Sequence, residues 1–186
     1  VPDMGLRAVA VDTGGRNTAA AYEFVRTRLR RRIWGIKGRG GQGVQAWPRT
    51  ASKGKGGAPV FIVGVDALKD KIAARLPIAE PGPGAIRFAA GLGPEWFEQL
   101  TAEKVRTRYV NGRPVRSWEP KRSGIRNEAL DCLVYASAAL HGLRVQGLDL
   151  EREAQELANV ALKAAGRVAP APAARPTRIK SKWMER

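Results

Sequence analysis

Three short apolar runs, each closed by a charged residue and separated by helix-patterned segments, constrain this chain more than any other feature. They are Leu6–Val11 (LRAVAV, then Asp12), Ile33–Ile36 (IWGI, then Lys37) and Pro59–Val65 (PVFIVGV, then Asp66). Runs of this length bounded by turn residues read as buried strands. Between them, residues 17–32 carry Tyr22, Val25 and Leu29 at helical spacing, and residues 67–76 (ALKDKIAARL) are amphipathic. Strands alternating with helices predict an α/β layered domain around a central sheet. Further along, residues 85–89 are expected to add a fourth strand and residues 94–105 a helix. Residues 109–118 are expected to form a hairpin turning at Asn111-Gly112, a favoured two-residue turn. Residues 127–143 and 148–165 read as helices. The division expected is a domain over residues 1–147, a helix over 148–167, and a basic disordered tail over 168–186, where Ala, Pro, Arg and Lys dominate.

Charge narrows the partner. Lys and Arg number 33 against 17 Asp and Glu, a formal charge of +16 and a pI near 11. Such an excess attracts polyanions, DNA or RNA first among them. No stretch reaches the roughly 20 apolar residues of a membrane span, so no membrane role is expected. Residues 38–57, rich in Gly, Lys and Arg, read as a mobile loop, in which Trp47 is a weak candidate for touching DNA.

Cys132 and His141 are the only residues of their kinds. Zinc sites built from several Cys and His are thereby excluded, as is serine–histidine machinery unless His141 alone serves it. Cys132 reads as core and His141 as a helix-end partner of the dipole. Any hydrolytic chemistry falls to carboxylates, whose hard oxygen ligands favour Mg²⁺ or Mn²⁺.

Asp12 stands at the C-terminal end of a predicted strand, where α/β sheets place their sites; it reads equally well as a cap of the next helix. Asp66 ends its run in the same way, and capping is the favoured reading there. Glu128 and Asp131 lie three apart on one face of an otherwise apolar helix. Glu128 suits an exposed first turn. Asp131 lies deeper, where a carboxylate is costly unless a cation compensates it. Lys69 and Asp70 read as solvated, and Trp34, Trp96 and Trp118 as core.

Four stretches in this order carry a family resemblance: AVDTGGRNTAAAYEFVR (10–26), IWGIKGRGG (33–41), VFIVGVDALKDKIAARL (60–76), and WFEQLTAEKV (96–105) followed by RNEALDCLVYASAAL (126–140). Together they resemble the terminase large subunits of tailed phages, in the lambda-like branch. The resemblance implies a ribonuclease-H-like nuclease fold with a mixed central sheet flanked by helices. It implies a metal-dependent endonuclease that cuts concatemeric DNA during genome packaging, through two Mg²⁺ or Mn²⁺ ions about 3.5–4 Å apart. Asp12 matches the family's acidic residue on an inner strand, Asp131 that of the late helix, and Glu128 its neighbour; Asp66 falls in a family motif as a further candidate metal ligand. Lys37, Lys53, Lys55, Arg113, Arg116, Lys121 and Arg122 are expected to hold phosphates of double-stranded DNA. The implied partners are the terminase small subunit and the portal protein, and the implied place is the host cytoplasm, at the procapsid. The family's nuclease begins with an earlier strand bearing another aspartate, and an ATPase motor precedes it. Neither is found here and the chain begins at Val1, so a C-terminal fragment lacking N-terminal strands, weak or inactive alone, is expected. The rival readings are a non-catalytic basic nucleic-acid-binding module and a capsid-docking module.

Overall fold

The computed structural model describes residues 5–164; the expected basic tail lies outside the described residues. The chain divides into two units, residues 1–147 and residues 148 onward.

The first unit is built on a four-stranded sheet. Strands β1 (Val9–Asp12), β2 (Ile33–Arg39) and β4 (Pro59–Gly64) are parallel, and the two-residue β3 (Ser52–Lys53) runs antiparallel on the outside of β4, in the order β1-β2-β4-β3. Helix α1 (Thr18–Arg26) returns the chain from β1 to β2, and α2 (Val65–Arg75) leaves the end of β4. Then come α3 (Pro94–Leu100), the antiparallel pair β5 (Glu103–Val110) and β6 (Arg113–Pro120), and the long α4 (Glu128–Val145). The architecture is thus mixed α/β, a sheet with helices on both faces.

The pleat of β2 assigns the faces, since successive side chains point to opposite sides. A Cβ on Gly35 would meet Val25 of α1, at 2.9 Å, whereas Trp34 lies under Gly142 of α4. Val25, Trp34, Ile36, Val63, Leu68 and Val134 are fully or almost fully buried and form the core. In the second unit, α5 (Leu150–Ala164) begins at Asp149, whose carboxylate accepts the Glu151 and Arg152 N–H groups as an N-cap.

Several elements depart from the sequence reading. Residues 85–89 form no strand; Phe88 instead packs edge-on against Trp96 and Phe97, at 5.3 and 5.4 Å between ring centroids. The expected 94–105 helix stops at Leu100. The β-rich stretch that follows pairs with residues 113–120 around the Asn111-Gly112 turn, whose φ values of 51° and 74° suit a type I′ hairpin. The loop after β2 is tied down. Trp47 stacks on Phe61 at 4.5 Å and against Trp34 at 4.8 Å, so it holds the loop to the sheet and is not displayed to DNA.

The same loop crosses the end of β4 at Gly64, whose N–H bonds the Gln45 carbonyl at 2.8 Å. A Cβ there would overlap the carbonyls of Val44 and Gln45. Both obstacles are backbone and cannot swing away as a side-chain tip can. Gly64→Ala is therefore expected to destabilise the fold by about 1–3 kcal/mol, the usual cost of overpacking, read as a lowered denaturation midpoint.

Candidate metal and phosphate site

The parallel strands bring Asp12, Lys37 and the turn into Asp66 to one edge of the sheet. Asp12 closes β1, and its Oδ1 accepts the Gly14 N–H at 2.8 Å. It caps no helix, because α1 begins at Thr18 after Asn17. Ala10 and Asp12 of β1, with Ala8 just before it, alternate along the chain and line one wall of an open cavity of about 600 Å³. The opposite wall is α4, presenting Glu128, Asp131, Cys132, Tyr135, Ala136, Ala139, Leu140 and Leu143. Asp12, Glu128 and Asp131 thus share one cavity. β1 is the sheet's outer strand there, paired only with β2 among the described strands.

Electrostatics joins these residues. Burial raises the Asp131 carboxyl above its ordinary 3.8, Lys69 opposes that, and Glu103, Asp12 and Glu128 add to it. Tyr135 is pushed up to about 12 by burial and by Asp12 and Asp131, so it stays a neutral phenol. Glu128 is exposed at the start of α4, and its carboxyl is lowered by its own backbone N–H and by Arg126, 3.2 Å away. Its surroundings match a solvated first-turn carboxylate, whereas those of Asp131 do not.

The sign of the Asp131 shift sets a stability prediction. A raised folded pKa means that the fold holds the proton more tightly than the unfolded chain does. The benefit is complete below the unfolded value and is lost as pH rises through the folded one. Without metal, ionising Asp131 therefore carries a cost in the folded state that the unfolded chain does not bear. Asp131→Asn is expected to raise the unfolding midpoint in chelator at pH 7, with the gain over the parent vanishing toward pH 3.8. An equal or lower midpoint at pH 7 would contradict this.

The other expected residues spread out. Asp66 sits in the first turn of α2, accepts the Gly41 N–H at 2.9 Å, and lines a separate cavity of about 200 Å³ with Asp70, Arg116 and Trp118. Lys37 reaches the same sheet edge near Gly14, but alternation along β2 turns it to the α1 face, and it does not line the Asp12 cavity. Lys53 and Lys55 lie near the start of β4, at the opposite edge of the sheet; six strand residues put that roughly 15–20 Å away. Arg113 is exposed at the hairpin tip, Arg116 is paired with Asp70 at 2.8 Å, and Lys121 and Arg122 follow the hairpin. Its register sets Lys104, Arg106, Arg108 and Arg113 on one face, all exposed, a cationic row of which the sequence reading includes only Arg113.

Three further assignments are corrected. Cys132 is exposed in the cavity, since α4 turns that position away from the core. His141 lies a turn inside α4, its Nε2 3.3 Å from Lys71 Nζ, because the helix runs on to Val145. Lys69 is buried and bonded to Glu103, and Asp70 accepts from Arg116 and the Trp118 indole, so neither is simply solvated. Tyr135, four residues after Asp131 and hence on the same helix face, is legible by spacing, but within an apolar helix it reads as packing.

Among the described residues, no three His, Cys, Asp or Glu side chains gather closely enough to enclose a metal ion. That does not disqualify Mg²⁺, which keeps several waters and commonly binds through one or two carboxylates together with substrate phosphates. Asp12 and Asp131, acidic, partly accessible and facing one cavity, fit that mode. No helix among the described residues is long and apolar enough to cross a membrane.

Comparison with known proteins identifies the family. The sequence model described as "Terminase large subunit gpA, endonuclease domain" matches residues 2–154. The terminase large subunit of Escherichia phage lambda is 36% identical to this chain, over 74% of the chain and 22% of that protein. The terminase large subunit of Enterobacteria phage P21 is 33% identical, with the same shares covered. The chain thus spans about a fifth of the length of these relatives. No solved structure matches it. The residues that line the Asp12 and Asp131 cavity all fall inside the matched region, and the chain belongs to the family of terminase large subunit gpA endonuclease domains.

Proposed function

We propose that this chain is the metal-dependent endonuclease of a DNA-packaging terminase, that its sheet is of the ribonuclease-H-like kind, and that it cuts concatemeric double-stranded DNA at the Asp12–Asp131 cavity. The observation that carries this is the meeting of two carboxylates, remote in sequence, across one open cavity at the C-terminal edge of a parallel sheet. Asp12 and Asp131 would hold Mg²⁺ or Mn²⁺, and Glu128 lies at the cavity mouth. The bound cations would supply a water activated at neutral pH and neutralisation of charge on the phosphate.

The chain's own residues do the rest. Lys37 emerges at the same sheet edge but outside the cavity lining, where it would meet a phosphate beyond the cavity. The cationic hairpin face and Lys121 and Arg122 extend that hold along the duplex, interactions that fix position without reading sequence. Asp66 anchors the Gly41 loop, which supports a structural role for it over a share in the metal set. Among the described strands β1 pairs only with β2, in keeping with the further aspartate-bearing strand that the resemblance implies. The terminase small subunit and the portal are the partners proposed, and the procapsid in the host cytoplasm the place of action.

The test is plasmid cleavage by the complete large subunit with Mg²⁺ or Mn²⁺ against a chelator control. Metal-dependent linearisation is expected. Duplex binding with no cutting under either metal would favour a binding module instead.

A further inference from the structure

A buried charge pair outside the cavity has no part in the chemistry above. Lys69 of α2 and Glu103 of β5 are 2.7 Å apart, with side chains only 9% and 5% exposed. The other oxygen of Glu103 accepts the Asn127 side-chain N–H at 2.8 Å, and the Asn127 carbonyl accepts the Asp131 N–H at 3.0 Å. Three links therefore run from Lys69 to the backbone of Asp131. The next residue of α2, Asp70, accepts from Arg116 and Trp118 of β6, so neighbouring residues of one helix grip both strands of the hairpin.

We propose that Lys69 is a positioning residue for the acidic cavity: through Glu103 and Asn127 it locks the first turn of α4, and with it Asp131 and Glu128, against α2 and the hairpin base. This rests on the reading of that cavity as the nuclease site.

Energetics favours a role beyond stability. Desolvating two charges offsets most of what they gain from each other, and apolar residues of similar volume often serve stability as well or better. An apolar pair could not hold Asn127, whose amide needs an acceptor. Lys69 is also the cation whose field opposes the crowding of negative charge at Asp131.

The lock and the fold are separated by the double substitution Lys69→Met with Glu103→Leu in the complete large subunit, beside Lys69→Arg. The double variant is expected to keep its unfolding midpoint within ~4 °C of the parent, a shift of about 1 kcal/mol or less. Amide exchange at Asp131 and the first turn of α4 should nevertheless speed up by ~10-fold or more, as a local opening. Cleavage should fall ~10- to 100-fold in kcat, the usual scale for residues that orient metal ligands, with the KM for DNA little changed. Lys69→Arg, which keeps charge and donors, should restore most of the cleavage. The proposal is overturned if the double variant cuts at the parent rate, or if exchange accelerates throughout the chain and not at α4 alone. Asp131→Asn serves as the control. If that variant still cuts, the nuclease reading of the cavity fails, while the exchange at α4, which needs neither metal nor cleavage, still decides the lock.

Discussion

Asp12→Asn and Asp131→Asn are each expected to lower DNA cleavage by about a thousandfold or more while leaving duplex affinity within about a factor of three, because on the proposed function each removes a metal-holding charge and no phosphate-binding group. Asparagine keeps the shape of the side chain. At position 12 it also keeps the oxygen that accepts the Gly14 N–H, so the turn after β1 survives. At position 131 it removes an ionised group from a half-buried place where burial already opposes ionisation. The folded state should therefore tolerate both changes. Glu128→Gln is expected to do less, since Glu128 is exposed and already paired with Arg126. Asp66→Asn should act only through the Gly41 loop. Single-turnover plasmid cleavage, with anisotropy of a labelled duplex measured in parallel, checks all four. Parent-level cutting by both aspartate variants would refute the site assignment.

Duplex affinity is expected to fall about a thousandfold or more between 50 and 200 mM salt, the response of a protein that neutralises six or more phosphates and releases their counterions. The charge of +16 supplies the cations, and the structure ranks them. Lys104, Arg106, Arg108 and Arg113 form an exposed row on one face of the hairpin, partly offset by Glu119, which pairs with Arg106 and Arg108. A two-stranded ribbon is narrow enough for the major groove. Replacing the four with Gln should flatten the slope of log affinity against log salt by up to ~3–4, at about 0.9 for each phosphate that is no longer neutralised. Replacing Lys53 and Lys55, at the sheet edge remote from Asp12, should change it far less. Arg116 is committed to Asp70 and should contribute little. Titrations at four or five salt concentrations decide the matter, and a slope unchanged by the hairpin substitutions would remove that face from the DNA path.

Most regular elements were legible because their signals are local. The three apolar runs became β1, β2 and β4, Asn111-Gly112 turned a hairpin, and the apolar run after Asn127 became α4. The failures have local causes too. Residues 85–89 have the composition of a strand, but Phe88 is satisfied by an aromatic cluster. The helix predicted through Val105 ended early because the alternating residues from Glu103 onward gain more by pairing with β6.

The sequence by itself determined the α/β class, the carboxylate character of any site, and Asp12 and Asp131 as its candidates, because strand ends, helix faces and residue inventories are written within a few neighbouring positions. Only the tertiary structure decided which carboxylates share a cavity. It set Asp66 in a different one, although Asp12 and Asp66 close their strands alike, because β2 lies between β1 and β4 and two strand spacings, roughly 9–10 Å, separate them. It also decided that Lys69 is buried. Its partner Glu103 is 34 positions away, and no local pattern marks a charge whose compensation comes from so distant a segment.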